Sequence, residues 1–245
     1  MTITADLAVA TMTLVRDDDE EPLLRHSVEA LARVGRPVFV SDGGSGNGFV
    51  SFLRSLPNVN AVEATGSGLV GQVRGSLAAA ARSGARFVLY TESDKQEFFE
   101  TRLPAFIGHL GADESLGVML AARSSSGFST FPPMQRFTES TINDLCEGFF
   151  GAHGDYSYGP FLLRRDLVPY VHHCAADLGW GWRHFMFAIA HRLGHSIVHV
   201  PDDSACPDDQ REENDRDRLH RLRQLAQNVR GLEAGMTLPL PQLRR

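Results

Sequence analysis

The chain has 245 residues, 42% of them hydrophobic, with a formal net charge of -6 and a pI near 5.9. That length and apolar content suit one sizeable core in a single α/β domain, and the acidic balance gives none of the clustered basic surface that phosphate-backbone binding needs, so no nucleic-acid partner is expected. No apolar run approaches the ~18 residues of a membrane span, and MTITADLAVATMTLV lacks the basic start of a signal peptide; the expectation is a cytoplasmic protein with no integral membrane segment.

In chain order, DLAVATMTLV reads as a first strand and EEPLLRHSVEALARVG as an amphipathic helix with Leu23, Leu24, Val28, Leu31 and Val34 on one face. RPVFVSDGGSGNG is a strand running into a glycine loop, GFVSFLRSLPNV a helix, VNAVEA a short strand, and GLVGQVRGSLAAAARSGA a helix ending near Gly84. RFVLYTESD is a strand, EFFETRLPAFIGHL a helix broken by Pro104, and SLGVMLAARS a further strand. Such alternation predicts βαβ units, a mostly parallel sheet and right-handed crossovers. Ligands then bind outside the carboxyl ends of the strands, and two polar tips fall there: Asp42 with its glycines, and Glu92-Ser93-Asp94-Lys95 after the apolar run Phe87–Tyr90. Taken singly, each could be a tight connection or a helix start; together in one βαβ series they point to a site. The three cysteines, Cys146, Cys174 and Cys206, are widely spaced and fit reduced thiols.

The order of these segments, an N-terminal strand, VFVSDGGSGNGFVSFL, GSGLVGQVRGSLAAAARSGARFVLY and then acid-x-acid, resembles the GT-A nucleotide-diphospho-sugar glycosyltransferases, most of all family-2 enzymes and the mannosylglycerate synthase type. The resemblance covers roughly residues 7 to 200. It implies a Rossmann-like, mostly parallel sheet flanked by helices in a domain of residues 1–200, with residues 201–245 an acidic loop and an amphipathic helix packed on the same domain. It further implies transfer of a sugar from a nucleotide-diphospho-sugar to a small hydroxyl acceptor, with Asp42 at the base, Glu92 at the ribose and Asp94 on a divalent cation, Mg2+ or Mn2+. A hard cation held by a carboxylate and phosphate oxygens is a usual answer to charge growing on a diphosphate leaving group.

In the second half, GAHGDYSYGPFLLRRDLVPYV resembles the family's sugar-pocket loop, and Asp155, Tyr156 and Tyr158 offer groups that bind hydroxyls; a turn with a core tyrosine is the plainer reading. Trp180 and Trp182 flank Gly181 as a pocket wall or as core. Here the chain departs from the family: Arg183 stands where relatives place an acid, and VPDDSACPDDQREEND lacks the late metal-binding histidine. His199, Asp202 or Asp203 would complete a metal shell, or Lys95 and Arg183 would neutralise the diphosphate themselves. Asp177 and Asp155 are the candidate bases for an inverting transfer. His172-His173 and the pair His191, His195 lack a zinc-site pattern. Residues 202–217, with eight acids and two arginines, read as a solvated loop that closes over a site. RDRLHRLRQLAQNVRGL is an amphipathic helix with Leu219, Leu222, Leu225, Ala226 and Val229 on one stripe, capped near Gly231, and GMTLPLPQLRR a loosely held tail. A non-catalytic relative of the fold is the main alternative. A nucleotidyltransferase lacks its basic loop after strand one, and a Rossmann dehydrogenase lacks G-x-G-x-x-G.

Overall fold

The computed structural model describes residues 6–239. Strands β1 (Leu7–Thr13), β2 (Val38–Asp42), β3 (Val59–Val62), β4 (Phe87–Tyr90), β5 (Leu116–Arg123), β6 (Phe161–Arg164) and β7 (Ser196–Asp202) form one sheet in the order β3-β2-β1-β4-β6-β5-β7. All neighbours pair in parallel except β6, which runs antiparallel to both β4 and β5. Strands β1, β4 and β5 are apolar along nearly their whole length because both sheet faces are covered, as expected of parallel strands.

Helices α1 (Glu20–Ala32), α2 (Asn47–Ser55) and α4 (Leu103–Gly108) belong to one face, whose core gathers Val28, Leu31, Phe49, Leu53, Phe98 and Phe106. Helices α3 (Gly68–Arg82), α6 (Pro133–Phe150), α7 (Trp182–Arg192) and α8 (Asp215–Thr237) take the other, around Val73, Leu77, Ile142, Tyr156, Phe161, Trp182 and Phe187. Short α5 (Ser125–Ser129) links β5 to α6. The break expected at Pro104 is a π turn over Phe98–Arg102 that passes into α4, with Pro104 in its first turn, where a missing amide costs nothing.

Three segments differ from the sequence reading. Trp182 is wholly buried core rather than pocket wall. Gly231 does not cap α8, which continues to Thr237; it meets Gly181 backbone to backbone, so a methyl at either glycine would sit on the other segment's carbonyl. The expected tail therefore belongs to α8 as far as Thr237, and its residues beyond 239 lie outside the described ones. In front of α8, Asn214 and Asp217 form a reciprocal cap. Helix residues 215–220 are exposed, including Leu219 at 52%.

Candidate active site

Strand β1 lies between β2 and β4, so the tips of β2 and β4 flank its carboxyl end, the position where open α/β sheets bind ligands. Asp42 pairs in register with Thr13, the last residue of β1. Its Oδ1 accepts from the amides of Gly44 and Ser45 at 2.9 and 2.7 Å, and its Oδ2 from the hydroxyls of Thr13 and Ser45 at 2.8 and 2.7 Å. A carboxylate offers about four acceptor positions, so Asp42 is fully engaged in shaping its own loop. Gln72 of α3 ties the two tips from beneath, donating to the carbonyls of Thr13 and Ser41 at 3.0 Å each.

Beyond β4 the polar residues divide in two. Glu92 turns inward and accepts from Arg183 Nη1 at 3.0 Å, both side chains largely buried at 14% and 8% exposure. Burial raises the Glu92 carboxyl above its ordinary range against the opposing pull of Arg183 and Lys95. Arg183 lies with its guanidinium 5.4 Å from the Trp180 ring. Gly159, at φ +129°, lets the loop before β6 pass so close that a methyl there would sit on Glu92 Oε2. Asp94 points outward at 70% exposure, with Lys95 Nζ 4.0 Å from its Oδ1 and 5.5 Å from the centre of the Tyr158 ring. Burial would lower the Lys95 ammonium, but Asp94 and Glu92 outweigh it and hold it up. Glu92 Oε2, Arg183 Nε, Tyr90 Oη and Trp182 Nε1 are buried without a hydrogen-bond partner among the described residues. Tyr90 and Trp182 stack edge to face at 4.6 Å.

The other predicted residues lie apart from this group. Asp155 takes Arg123 Nε at 2.7 Å and Nη2 at 3.0 Å, together with the Ser157 amide at 3.0 Å. Burial alone would raise its carboxyl; Arg123 reverses this and holds it below the usual range. Glu139 takes the same guanidinium at 2.6 Å, and the rings of Phe131, Phe128 and Tyr158 stand 4.5, 4.7 and 5.6 Å from it. Asp155 is thus an internal counter-ion rather than a poised base. Asp177 is exposed and bound by Arg230 of α8 at 2.7 Å, which lowers its carboxyl. His199 is in the register row Tyr90–Phe161–Leu120–His199. Three strand spacings of ~4.8 Å separate it from Tyr90 of β4, and among the described residues it joins no group of three or more side chains that could hold a metal. Its ring packs edge-on against Tyr156 at 4.5 Å, and burial lowers its pKa to about 4. Asp202 pairs with Arg102, and Asp203 accepts from Ser124 and Ser126.

Arg123 is the residue that sequence reasoning missed. A lone arginine closing the apolar run SLGVMLAA was the available signal, since a charge at the end of a buried strand requires an acid nearby.

No group of three or more His, Cys, Asp or Glu side chains that could hold a metal occurs among the described residues. Asp94 alone fits a cation that draws the rest of its shell from phosphate oxygens and water, the binding mode of a hard ion carried in with a diphosphate. No helix of the described residues is long and apolar enough to cross a membrane.

The sheet order, the one reversed strand and the acids beyond β4 define a GT-A fold, the class that the sequence resemblance implies. Among solved structures, the chain is similar to glucosyl-3-phosphoglycerate synthase from Mycobacterium tuberculosis. With its complex of Mn2+, uridine diphosphate and phosphoglyceric acid it shares 15% identity at a TM-score of 0.65, over 96% of this chain and 79% of that one. The complex with Mn2+, uridine-diphosphate-glucose and phosphoglyceric acid gives 14% and 0.66 over 96% and 80%, and that with Mg2+ and uridine diphosphate 15% and 0.63 over 96% and 80%. At this identity the likeness establishes the fold. No protein-family model and no curated protein matches the chain.

Proposed function

We propose that this protein is a cytoplasmic glycosyltransferase that moves a sugar from a nucleotide-diphospho-sugar to a small hydroxyl acceptor, with a divalent cation at Asp94. The observation that carries the reading is the division of labour beyond β4: Asp94 exposed at the rim, and Glu92 turned in against Arg183. Uridine diphosphate is the first donor nucleotide to test, because the similar synthase structures hold it. In this reading Asp42 shapes the loop that the nucleotide lies against. The inward polar atoms Glu92 Oε2 and Arg183 Nε meet the hydroxyls of the sugar or acceptor, which match such orphaned acceptors and donors. A bound cation would supply charge neutralisation of the diphosphate. The acceptor oxygen bonds to the anomeric carbon, the carbon–oxygen bond to the β-phosphate breaks with its electron pair on phosphate, and the products are a glycoside, a nucleoside diphosphate and a proton.

A second reading, a binding protein that keeps the fold without transfer, is favoured by one observation: Asp155 and Asp177, the candidate bases, are each engaged by an arginine. The deciding experiment is a melting-temperature screen of nucleotide-diphospho-sugars with and without Mn2+ or Mg2+, on wild type and Asp94→Ala. Binding at about 100 times the dissociation constant adds ~2.7 kcal/mol. Metal-dependent stabilisation that Asp94→Ala loses supports the donor site, and release of nucleoside diphosphate with an acceptor pool then separates transfer from binding alone. Absence of stabilisation by any donor overturns both readings.

A further inference from the structure

The chain has 24 basic Lys and Arg residues, and Lys95 is the only lysine among them. It falls in the candidate site, three-tenths exposed, between Asp94 at 4.0 Å and the Tyr158 ring at 5.5 Å. Tyr158 is in turn fixed by Arg123 on one side and by Phe98 of the π turn, whose ring centre lies 6.3 Å away. The charges here pair off as Glu92 with Arg183 and Asp94 with Lys95. The two pairs differ in kind. Arg183 is buried and bonded to Glu92 at 3.0 Å, whereas Lys95 is loosely associated with an exposed partner. A compact ammonium with three rotatable donors on a flexible stem can change partners without repacking, which the planar fork of an arginine cannot.

We propose that Lys95 is the phosphate-binding group of this site: its ammonium leaves Asp94 for an oxygen of the donor's diphosphate and stays there as negative charge collects on the departing phosphate. The inference rests on the glycosyltransferase reading and adds to it a protein cation on the leaving group, beside whatever ion Asp94 holds. Tyr158 acts as the positioning residue that keeps the stem of Lys95 over the crevice.

The uniqueness of this amine supplies the test. Native protein is treated with N-hydroxysuccinimidyl acetate, and acetylation of the peptide carrying Lys95 is followed by mass spectrometry, the N-terminal amine serving as internal control. Saturating uridine diphosphate with Mg2+ is expected to slow acetylation of Lys95 about tenfold. Inorganic pyrophosphate should do the same and uridine should not, because protection comes from phosphate rather than from the base. In parallel, Lys95→Met, whose linear side chain keeps its packing on Tyr158, should weaken binding of uridine diphosphate about tenfold, the charge-assisted contact being lost. If uridine diphosphate raises the melting temperature yet leaves the acetylation rate unchanged, or if Lys95→Met binds it as tightly as wild type, Lys95 is not at the phosphate while the donor site stands. If it neither stabilises nor protects, and no other nucleoside diphosphate does, the inference and the reading beneath it both fall.

Discussion

Asp155 and Asp177 carry the same side chain in opposite circumstances, one buried on Arg123 and the other exposed on Arg230. Asp155→Asn leaves the Arg123 guanidinium buried with Glu139 as its one carboxylate, and breaking such a pair costs about 3 kcal/mol; chemical denaturation measures it. Arg183→Met likewise strands Glu92, with a similar loss expected, and the double variant Arg183→Met/Glu92→Gln should recover part of it because no buried charge is then left alone. Additive losses in that cycle would mean the two side chains do not depend on each other. The rim position of Asp42, Glu92 and Asp94 was legible in the sequence, because a strand tip shows as an apolar run ending in acids. The partnership of Glu92 with Arg183 was not: 91 residues separate them, and only the tertiary packing of α7 beside β4 brings them together.

At the scale of elements, α8 is two structures in one. Its second half is clamped by the Gly181–Gly231 contact, and Gly231→Ala should force the helix away and cost about 2 kcal/mol, seen as a lower melting temperature. Its first turns, exposed over residues 215–220, rest on the Asn214 cap. Asn214→Ala should cost about 1 kcal/mol locally, speeding amide exchange at the start of α8 while the global melting temperature stays put. The pattern of RDRLHRLRQLAQNVRGL predicted this helix and its start to within a residue, but not its end or its packed face. Leu219, Leu222 and Val229 are exposed, and the buried positions are Asn228, Gly231, Leu232 and Gly235. Periodicity reports which face is apolar, whereas the glycine at 231 looks the same to sequence whether it caps a helix or admits a neighbour. Helix α6 and strand β6 escaped notice: β6 is four residues and runs straight from a glycine- and tyrosine-rich loop into Arg164-Arg165, with no polar tip like the one that marked β4.

Across the whole molecule, titration links the core to pH. His184 is fully buried with its pKa pushed down to about 3 by burial, and His199 is held at about 4, both below the ordinary 6.5. The unfolded chain therefore binds protons that the folded chain refuses, so stability is fully present above pH ~6.5 and falls as pH drops from there toward 4, by up to ~1.4 kcal/mol per unit for each histidine. Melting temperatures across that window should show this slope, and His184→Gln should flatten it even if the variant starts lower. A wild-type curve that is level between pH 6.5 and 4 would contradict burial of neutral imidazoles.

The close approach of Gly159 to Glu92 leaves no room for one methyl: the loop before β6 and the acid beyond β4 fit together only while residue 159 carries no side chain. Gly159→Ala puts a carbon where Glu92 Oε2 lies, on a backbone angle that alanine rarely adopts. A single codon change at position 159 therefore has to move either the Glu92 carboxylate off Arg183 or the loop before β6. Residue 159 is then the first position to compare when the Glu92–Arg183 pair is sought in other chains of this fold.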